Sequence, residues 1–80
     1  NCLAIDQERN KLYWTDAGTR TIEMVDYDGR NRQVLISLAL PHPFGLALYG
    51  DSIYWTDWTE HNIQSANKVS GIDRKIIFQG

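Results

Sequence analysis

Two short segments hold most of the side chains that could carry chemistry in this sequence of 80 residues. One is the run from Pro41 to Gly45, which contains His42, and the other is Trp58-Thr59-Glu60-His61. Asp57 and Glu60 have the side chains of an acid and base pair, but scattered loop carboxylates more often solvate a surface. There is no nucleophile elbow, no phosphate-binding loop and no motif that links Ser, His and Asp. The sequence therefore predicts a protein that is not an enzyme.

The sequence supports a metal or cofactor site no better than it supports a catalytic site. Asp26-Tyr27-Asp28-Gly29 is similar to the start of a calcium loop, but the later ligands and closing Glu of that loop are missing. No group of Cys or His residues has the spacing of zinc ligands. The single cysteine, Cys2, excludes an internal disulfide, and we expect a small buried residue there. We therefore expect no metal and no cofactor.

The charge and hydropathy of the sequence limit the classes of partner that we expect the protein to bind. Eight Lys and Arg residues are outnumbered by ten Asp and Glu, and the basic residues are scattered, so we expect no nucleic-acid binding. The apolar fraction of 42% is that of a folded protein, although a chain this short buries a proportionally small core. No apolar run is long enough for a membrane helix.

An internal repeat determines which elements position these side chains. The run Tyr13-Trp14-Thr15-Asp16 returns unchanged as Tyr54-Trp55-Thr56-Asp57. The neighbouring residues repeat as well, with offsets that change by one or two positions in loops. The corresponding pairs are Leu3-Ala4 with Leu46-Ala47, Ile22 with Ile63, Gly29 with Gly71, and Arg32 with Arg74. We divide the chain into residues 1–43 and 44–80.

Each unit has the pattern of short β-strands. β-branched and aromatic residues occur in runs that turn residues such as Asp28-Gly29 and Gly50-Asp51 interrupt. Four short antiparallel strands in a repeat of this length are typical of one β-propeller blade. Neighbouring blades cover both faces of each sheet, and the fourth, outermost strand is expected to be more polar. The predicted strands are 3–6, 12–16, 21–27, 32–36, 44–48, 52–57, 62–67 and 74–78.

Two blades leave the outer sheet faces uncovered, because propellers usually have four to eight blades. We expect the remaining blades to come from the parent chain or from copies of this chain that close a ring. The alternation of antiparallel strands places three loops at the same end of the sheets. These loops are residues 17–20, 40–44 and 58–61.

At these motifs the sequence resembles the YWTD β-propellers of the low-density lipoprotein receptor family, over essentially the whole chain. His42-Pro43-Phe44-Gly45 and the Asp28-Gly29 turn belong to the same resemblance, and Ala66-Asn67-Lys68 is similar to the fifth of six blades. The resemblance therefore implies an all-β chain that forms blades four and five of a six-bladed propeller. Cys2 departs from the family, which usually has Gly at that position.

The resemblance implies an extracellular part of a cell-surface membrane receptor, or a secreted protein, that binds protein ligands or neighbouring receptor modules. In relatives the position of Trp58 often faces ligands, and the receptor that gives the family its name uses a histidine at the place of His42 for acid-dependent release. A second histidine of that receptor lies near the position of Arg20, which cannot titrate in this way. The predicted ligand-binding residues are Trp58, His42, His61, Glu60 and Arg20.

Other interpretations of these residues stay open. Trp58 could pack over an adjacent loop, His42 could hold the linker by hydrogen bonds, and His61 could be a solvated loop residue. The eight YWTD residues are assigned structural roles, with Arg32 and Arg74 as charge partners for Asp16 and Asp57. Two further functions remain alternatives to a binding scaffold: part of a propeller hydrolase, or a purely structural repeat that assembles into a ring.

Overall fold

Eight β-strands form two antiparallel sheets in a computed structural model that describes residues 2–80. In each sheet the spatial order of the strands follows the chain. The first sheet contains β1 (Leu3–Asp6), β2 (Lys11–Asp16), β3 (Thr21–Asp26) and β4 (Gln33–Ile36). The second contains β5 (Pro43–Tyr49), β6 (Ser52–Asp57), β7 (Asn62–Asn67) and β8 (Lys75–Gln79). The predicted all-β architecture is confirmed, and residues 2–80 include no helix that could cross a membrane.

The two sheets are structural repeats as well as sequence repeats. Tyr13 pairs with Met24 across β2 and β3, and Tyr54 pairs with Ser65 at the equivalent place in β6 and β7. Both sheets also have a bulge at the same position, between Ile22 and Glu23 in one and between Ile63 and Gln64 in the other. Since the register is the same, each residue of the first sheet has an identifiable counterpart in the second.

The core lies between the two sheets. Directly paired residues point to the same face of a sheet, so strand alternation brings one face of each sheet into this interface. Burying a large apolar side chain completely contributes about 1.5 to 3 kcal/mol, so this layer is a main source of stability. The buried apolar residues are Tyr13, Ile22, Met24 and Ile36 from the first sheet, Leu40 from the linker, and Ile53, Trp55 and Ala66 from the second sheet.

Polar contacts also join the sheets. The Tyr13 hydroxyl donates a hydrogen bond of 2.8 Å to the backbone carbonyl of Lys68, and Thr15 Oγ1 donates to the carbonyl of Phe44 at 3.2 Å. The Lys68 ammonium lies 2.8 Å from the Asp6 carboxylate, and both side chains are buried. Burial alone would raise the pKa of Asp6, but the hydrogen bond and positive charge of Lys68 outweigh it and lower the pKa. Burial raises the pKa of the Tyr13 phenol, and the charge of Asp6 adds to that rise.

Arg74 fixes the linker between the sheets. Its guanidinium stacks over Trp55 at 5.3 Å from the ring centroid and donates to the side chain of Gln64. It also donates to the backbone carbonyls of Leu38 and Ala39. Ala39 has a φ of 53°, a left-handed conformation that is unfavourable for a residue with a Cβ atom. Arg74 therefore holds the linker in a conformation that it would not readily adopt alone.

The expected pairing of Arg32 with Asp16 and of Arg74 with Asp57 differs from the observed contacts. Arg32 stacks over Trp14 and forms an ion pair of 2.9 Å with the buried Glu23. Each guanidinium group is held above a motif tryptophan by other partners. Asp16 and Asp57 accept hydrogen bonds from backbone N–H groups instead. Burial lowers the pKa of Arg74, and the charge of Asp57 opposes this decrease, so the two residues interact only at longer range.

Each sheet has an open face that the other sheet does not cover. The open face of the first sheet carries Leu3, Ile5, Trp14 and Val34, and that of the second carries Ala47, Tyr54, Ile63 and Phe78. The expectation of a polar fourth strand is wrong for β8, where Ile76, Ile77 and Phe78 are all exposed. Phe78 pairs with Ile63, so it is apolar because it belongs to a sheet face rather than to a solvated outer edge. Cys2 is half-buried rather than buried.

Candidate functional site

The loop end of the sheets is organised by the aspartates that close the two motifs. Asp57 Oδ1 accepts hydrogen bonds from the backbone N–H groups of Thr59 and Glu60, at 2.9 and 3.0 Å. Its second oxygen, Oδ2, accepts from the backbone N–H of His42 at 3.2 Å. Asp57 thus ties its own loop to the linker between the sheets. Asp16 caps the equivalent loop of the first sheet by accepting from Gly18 and Thr19.

Trp58 lies beside this junction and is largely exposed, with 65% of its surface accessible to solvent. Its ring centroid is 6.0 Å from the rings of both His42 and Phe44. Its backbone N–H donates to the carbonyl of His42 at 3.1 Å. We call His42, Phe44 and Trp58 the aromatic cluster. Trp58 packs over the linker, as one interpretation of the sequence held, and still presents most of its surface to solvent.

His42 fixes the linker through its backbone rather than through its imidazole. The N–H of His42 donates to Asp57, and its carbonyl accepts from Trp58. The side chain is exposed and lies against the Trp58 ring. The structural role and a role in recognition are therefore compatible, because they use different atoms of the same residue.

Arg20 and Glu60 both line a depression at this end. Ser37, Ala39, Leu40 and Pro41 complete the lining of that depression, which has a volume of about 430 Å³. Arg20 and Glu60 are both exposed, so their opposite charges are available to a partner. We call the surface formed by the aromatic cluster, Arg20, Glu60 and His61 the Trp58 end.

His61 belongs to a second depression, which is mostly apolar and has a volume of about 450 Å³. Trp58, Ile63 and Phe78 also line it. His61 has a φ of 54°, and its counterpart Arg20 has a φ of 58°, so both loops turn through the same left-handed position. The backbone carbonyl of His61 accepts from Gly80, which joins this loop to the end of β8.

The structure brings all five predicted ligand-binding residues to one end of the sheets, where the antiparallel order of the strands places their loops. Whether they bind a ligand remains a prediction. Sequence reasoning placed Phe44 in the linker without assigning it to the site. The signal in the sequence was an aromatic residue directly after Pro43 in the linker, because aromatic residues are enriched in contact surfaces. Among residues 2–80, no three acidic, His or Cys side chains converge as metal ligands would.

Comparison with known sequences agrees with the repeat. Residues 10–49 and 51–80 match the family described as low-density lipoprotein receptor repeat class B. Human low-density lipoprotein receptor-related protein 5 is 51% identical over 77 residues, and the Drosophila melanogaster vitellogenin receptor Yl is 35% identical over 77 residues. Each alignment covers 96% of this chain but only 5% and 4% of those relatives. The chain therefore corresponds to a small part of much longer receptors.

A solved structure shows the same arrangement of strands. A chain in the crystal structure of a nidogen/laminin complex superimposes with a TM-score of 0.86 and is 32% identical in sequence. The match covers 96% of the present chain and 30% of that chain. The two sheets are thus arranged as successive blades are in that propeller.

Proposed function

Because the chain belongs to the low-density lipoprotein receptor class B repeat family, we propose that it forms two blades of an extracellular receptor β-propeller whose Trp58 end binds protein ligands. The observation that carries the proposal is the exposure of Trp58 on a backbone that hydrogen bonds hold in place. Large aromatic residues on a rigid support are typical binding hot spots, since little conformational entropy is lost when they are covered.

The composition of the Trp58 end favours a protein partner over a small molecule. Beside the exposed Trp58, an open depression has the opposite charges of Arg20 and Glu60 in its lining. A central aromatic group with a charged rim is the usual anatomy of a protein interface. The relatives are receptors, and the nidogen structure is a complex with laminin, which also supports a protein ligand or a neighbouring receptor module. The assignment to blades four and five rests on the sequence resemblance alone.

His42 gives this interface an acid-sensitive component. Histidine gains a positive charge between neutral and endosomal pH, and this one lies against the Trp58 ring. We include acid-dependent release in the proposal, and replacement of His42 by Gln should make the affinity less sensitive to this change of pH.

The proposal is tested with the propeller that contains this chain, immobilised on a biosensor and screened against an array of extracellular protein domains. Each protein that binds is measured again with Trp58→Ala and with Ile72→Ala, which removes an apolar side chain that is 61% exposed in the turn between β7 and β8, away from the Trp58 end. Trp58→Ala should weaken binding by about 1 to 4 kcal/mol, or about 5-fold to 1000-fold. Ile72→Ala should leave the affinity nearly unchanged. Ligands that lose affinity with Ile72→Ala and keep it with Trp58→Ala would contradict the proposal.

A further inference from the structure

The two sheets diverge toward their outer strands. Trp55, Gln64 and Ile76 lie side by side on the face of the second sheet that packs against the first sheet. Their exposed fractions are 1%, 6% and 56% in that order, so exposure rises from the second strand of the sheet to the fourth. The fourth strand therefore extends beyond the cover of the first sheet and leaves an open wedge at the outer rim.

This wedge contains a depression of about 660 Å³. The linker borders it at Ala39, and β7 and β8 border it with residues that include Asn62, Lys75 and Ile76. Arg74 also lines the depression and binds the linker through the carbonyl of Ala39. Both sides belong to the described part of the chain, so further blades beside the open faces of the sheets would not fill this space.

The wedge is continuous with the depression that Arg20 lines. Ala39 and Glu60 line both depressions, so the two meet at these residues. We call the combined surface the rim groove. It runs from Arg20 in the loop between β2 and β3, past Glu60, to Lys75 on β8. A long groove of this kind suits an extended segment better than a compact ligand.

Three charged side chains in the rim groove are free to bind a ligand. Within residues 2–80, the side chains of Arg20, Glu60 and Lys75 form no hydrogen bond and no ion pair. All three residues are exposed. Their charges are positive, negative and positive in order along the groove. Because opposite charges fix the register of a ligand and like charges oppose docking, the complementary ligand has a basic side chain between two acidic ones.

Asn62 adds a hydrogen-bond donor to the groove. The residue is 5% exposed, and its Oδ1 accepts from Gln64 Nε2 at 3.0 Å. Its Nδ2 donates to no acceptor in the part of the chain that the structure describes. Most buried polar groups have a hydrogen-bond partner, and a backbone carbonyl of an extended segment can accept from this one. The free amide therefore favours a peptide segment as the ligand of the groove.

We propose that the rim groove binds an extended segment of a protein ligand in which a basic residue lies between two acidic residues. The acidic side chains pair with Arg20 and Lys75, and the basic side chain pairs with Glu60. The inference rests on the proposed function, because Arg20 and Glu60 belong to the Trp58 end. It extends that surface to Lys75 on the outermost strand of the second sheet.

The test uses the propeller that contains this chain to select from a displayed library of random linear peptides. Each enriched peptide is measured again with Arg20→Glu, Lys75→Glu and Arg30→Glu. Arg30→Glu is the matched control, because it makes the same change of charge at a side chain that is 82% exposed in the turn between β3 and β4. Arg20→Glu and Lys75→Glu should each weaken binding roughly 3-fold to 30-fold, and Arg30→Glu should have little effect.

The sequences of the enriched peptides give a second result. They should carry a basic residue between two acidic residues, and exchange of one acidic residue for Lys should restore binding to Lys75→Glu, because an opposite-charge pair forms again. Enriched peptides without this pattern would overturn the proposal, as would equal losses with Arg30→Glu. A library that gives no peptide sensitive to Lys75→Glu would overturn it as well.

Lys75 and Trp58 separate this inference from the proposed function, since Lys75 lies outside the Trp58 end. Protein ligands that lose affinity with Trp58→Ala but bind Lys75→Glu normally would exclude the rim groove and leave the Trp58 end as the binding surface. If no protein ligand depends on Trp58 while the enriched peptides depend on Lys75, the rim groove stands and the Trp58 end does not.

Discussion

The hydroxyl of Tyr13 reaches the backbone carbonyl of Lys68 across the sheet interface, over a separation of 55 residues in the chain. This contact gives the first motif tyrosine a role that phenylalanine could not fill, because phenylalanine has no hydroxyl. The following motif residues also have positions that the contacts define. Trp55 supports Arg74, Thr15 joins the sheets through a carbonyl, and Asp57 closes the loop that carries Trp58.

Removal of the Tyr13 hydroxyl should therefore destabilise the protein. Tyr13→Phe leaves the buried carbonyl of Lys68 without its partner, at a cost of about 1 to 2 kcal/mol. Tyr49→Phe removes a hydroxyl from an exposed ring and serves as the control, with an expected change within about 0.5 kcal/mol. Urea denaturation at one fixed protein concentration measures both values. Similar losses for the two variants would remove the cross-sheet hydrogen bond from the account.

The ion pair between Asp6 and Lys68 gives a prediction about coupling. Lys68→Met leaves the Asp6 carboxylate buried without its partner and should cost about 3 kcal/mol or more. The double variant Asp6→Leu with Lys68→Met replaces both charges by apolar groups, so it should be more stable than Lys68→Met alone. A double-mutant cycle from chemical denaturation provides the comparison. Additive losses would show that the two side chains do not interact.

The same pair determines how stability responds to acid. Burial pushes the pKa of Asp6 up, but Lys68 outweighs it, so the pKa in the folded protein lies below the ordinary value of 3.8. The stabilisation is therefore complete above that value and is lost as the pH falls through the lower pKa of the folded state. The free energy of unfolding should change little from this source between about pH 7 and 5, and should fall below about pH 4. Asp6→Asn should flatten the decrease, whereas an equal decrease in the variant would assign it to other carboxylates such as Asp26.

Gly71 supports a prediction about how closely the sheets approach. A Cβ atom there would lie 2.7 Å from the carbonyl oxygen of Leu35, and the φ of 75° is already unfavourable for other residues. Gly50 has a φ of 58° but no atom within 4 Å of the same position, so Gly50→Ala should cost only about 1 kcal/mol. Gly71→Ala should cost about 1 to 3 kcal/mol more, because backbone atoms must move. Equal thermal or urea stabilities of the variants would contradict the close contact.

Much of the fold could be predicted because the repeat and the strand pattern are local properties of the sequence. Tyr13-Trp14-Thr15-Asp16 and its copy identify the second strand of each sheet, and the turns around Gly29 and Gly50 bound the neighbours. Antiparallel alternation was then sufficient to place the loops at the Trp58 end.

The contacts between sheets could not be predicted in the same way, because they depend on the distance and angle at which two distant segments meet. Arg74 was expected to pair with Asp57, yet the backbone of the linker lies closer to its guanidinium. The partnership of Asp6 with Lys68 has no counterpart in the repeat, where tyrosines occupy both places, so the internal comparison gave no signal for it.

The central claim, that the Trp58 end is the ligand-binding surface, is tested most directly by photo-crosslinking in the propeller that contains this chain. A benzophenone amino acid is introduced at Trp58 in one variant and at Ile72 in another, each is irradiated with an extracellular protein that binds the unmodified propeller, and the adducts are mapped by mass spectrometry. The account predicts abundant adducts from the position of Trp58 and few from the position of Ile72, which is exposed in the turn between β7 and β8. Adducts from Ile72 alone would place the ligand away from the Trp58 end and contradict the claim.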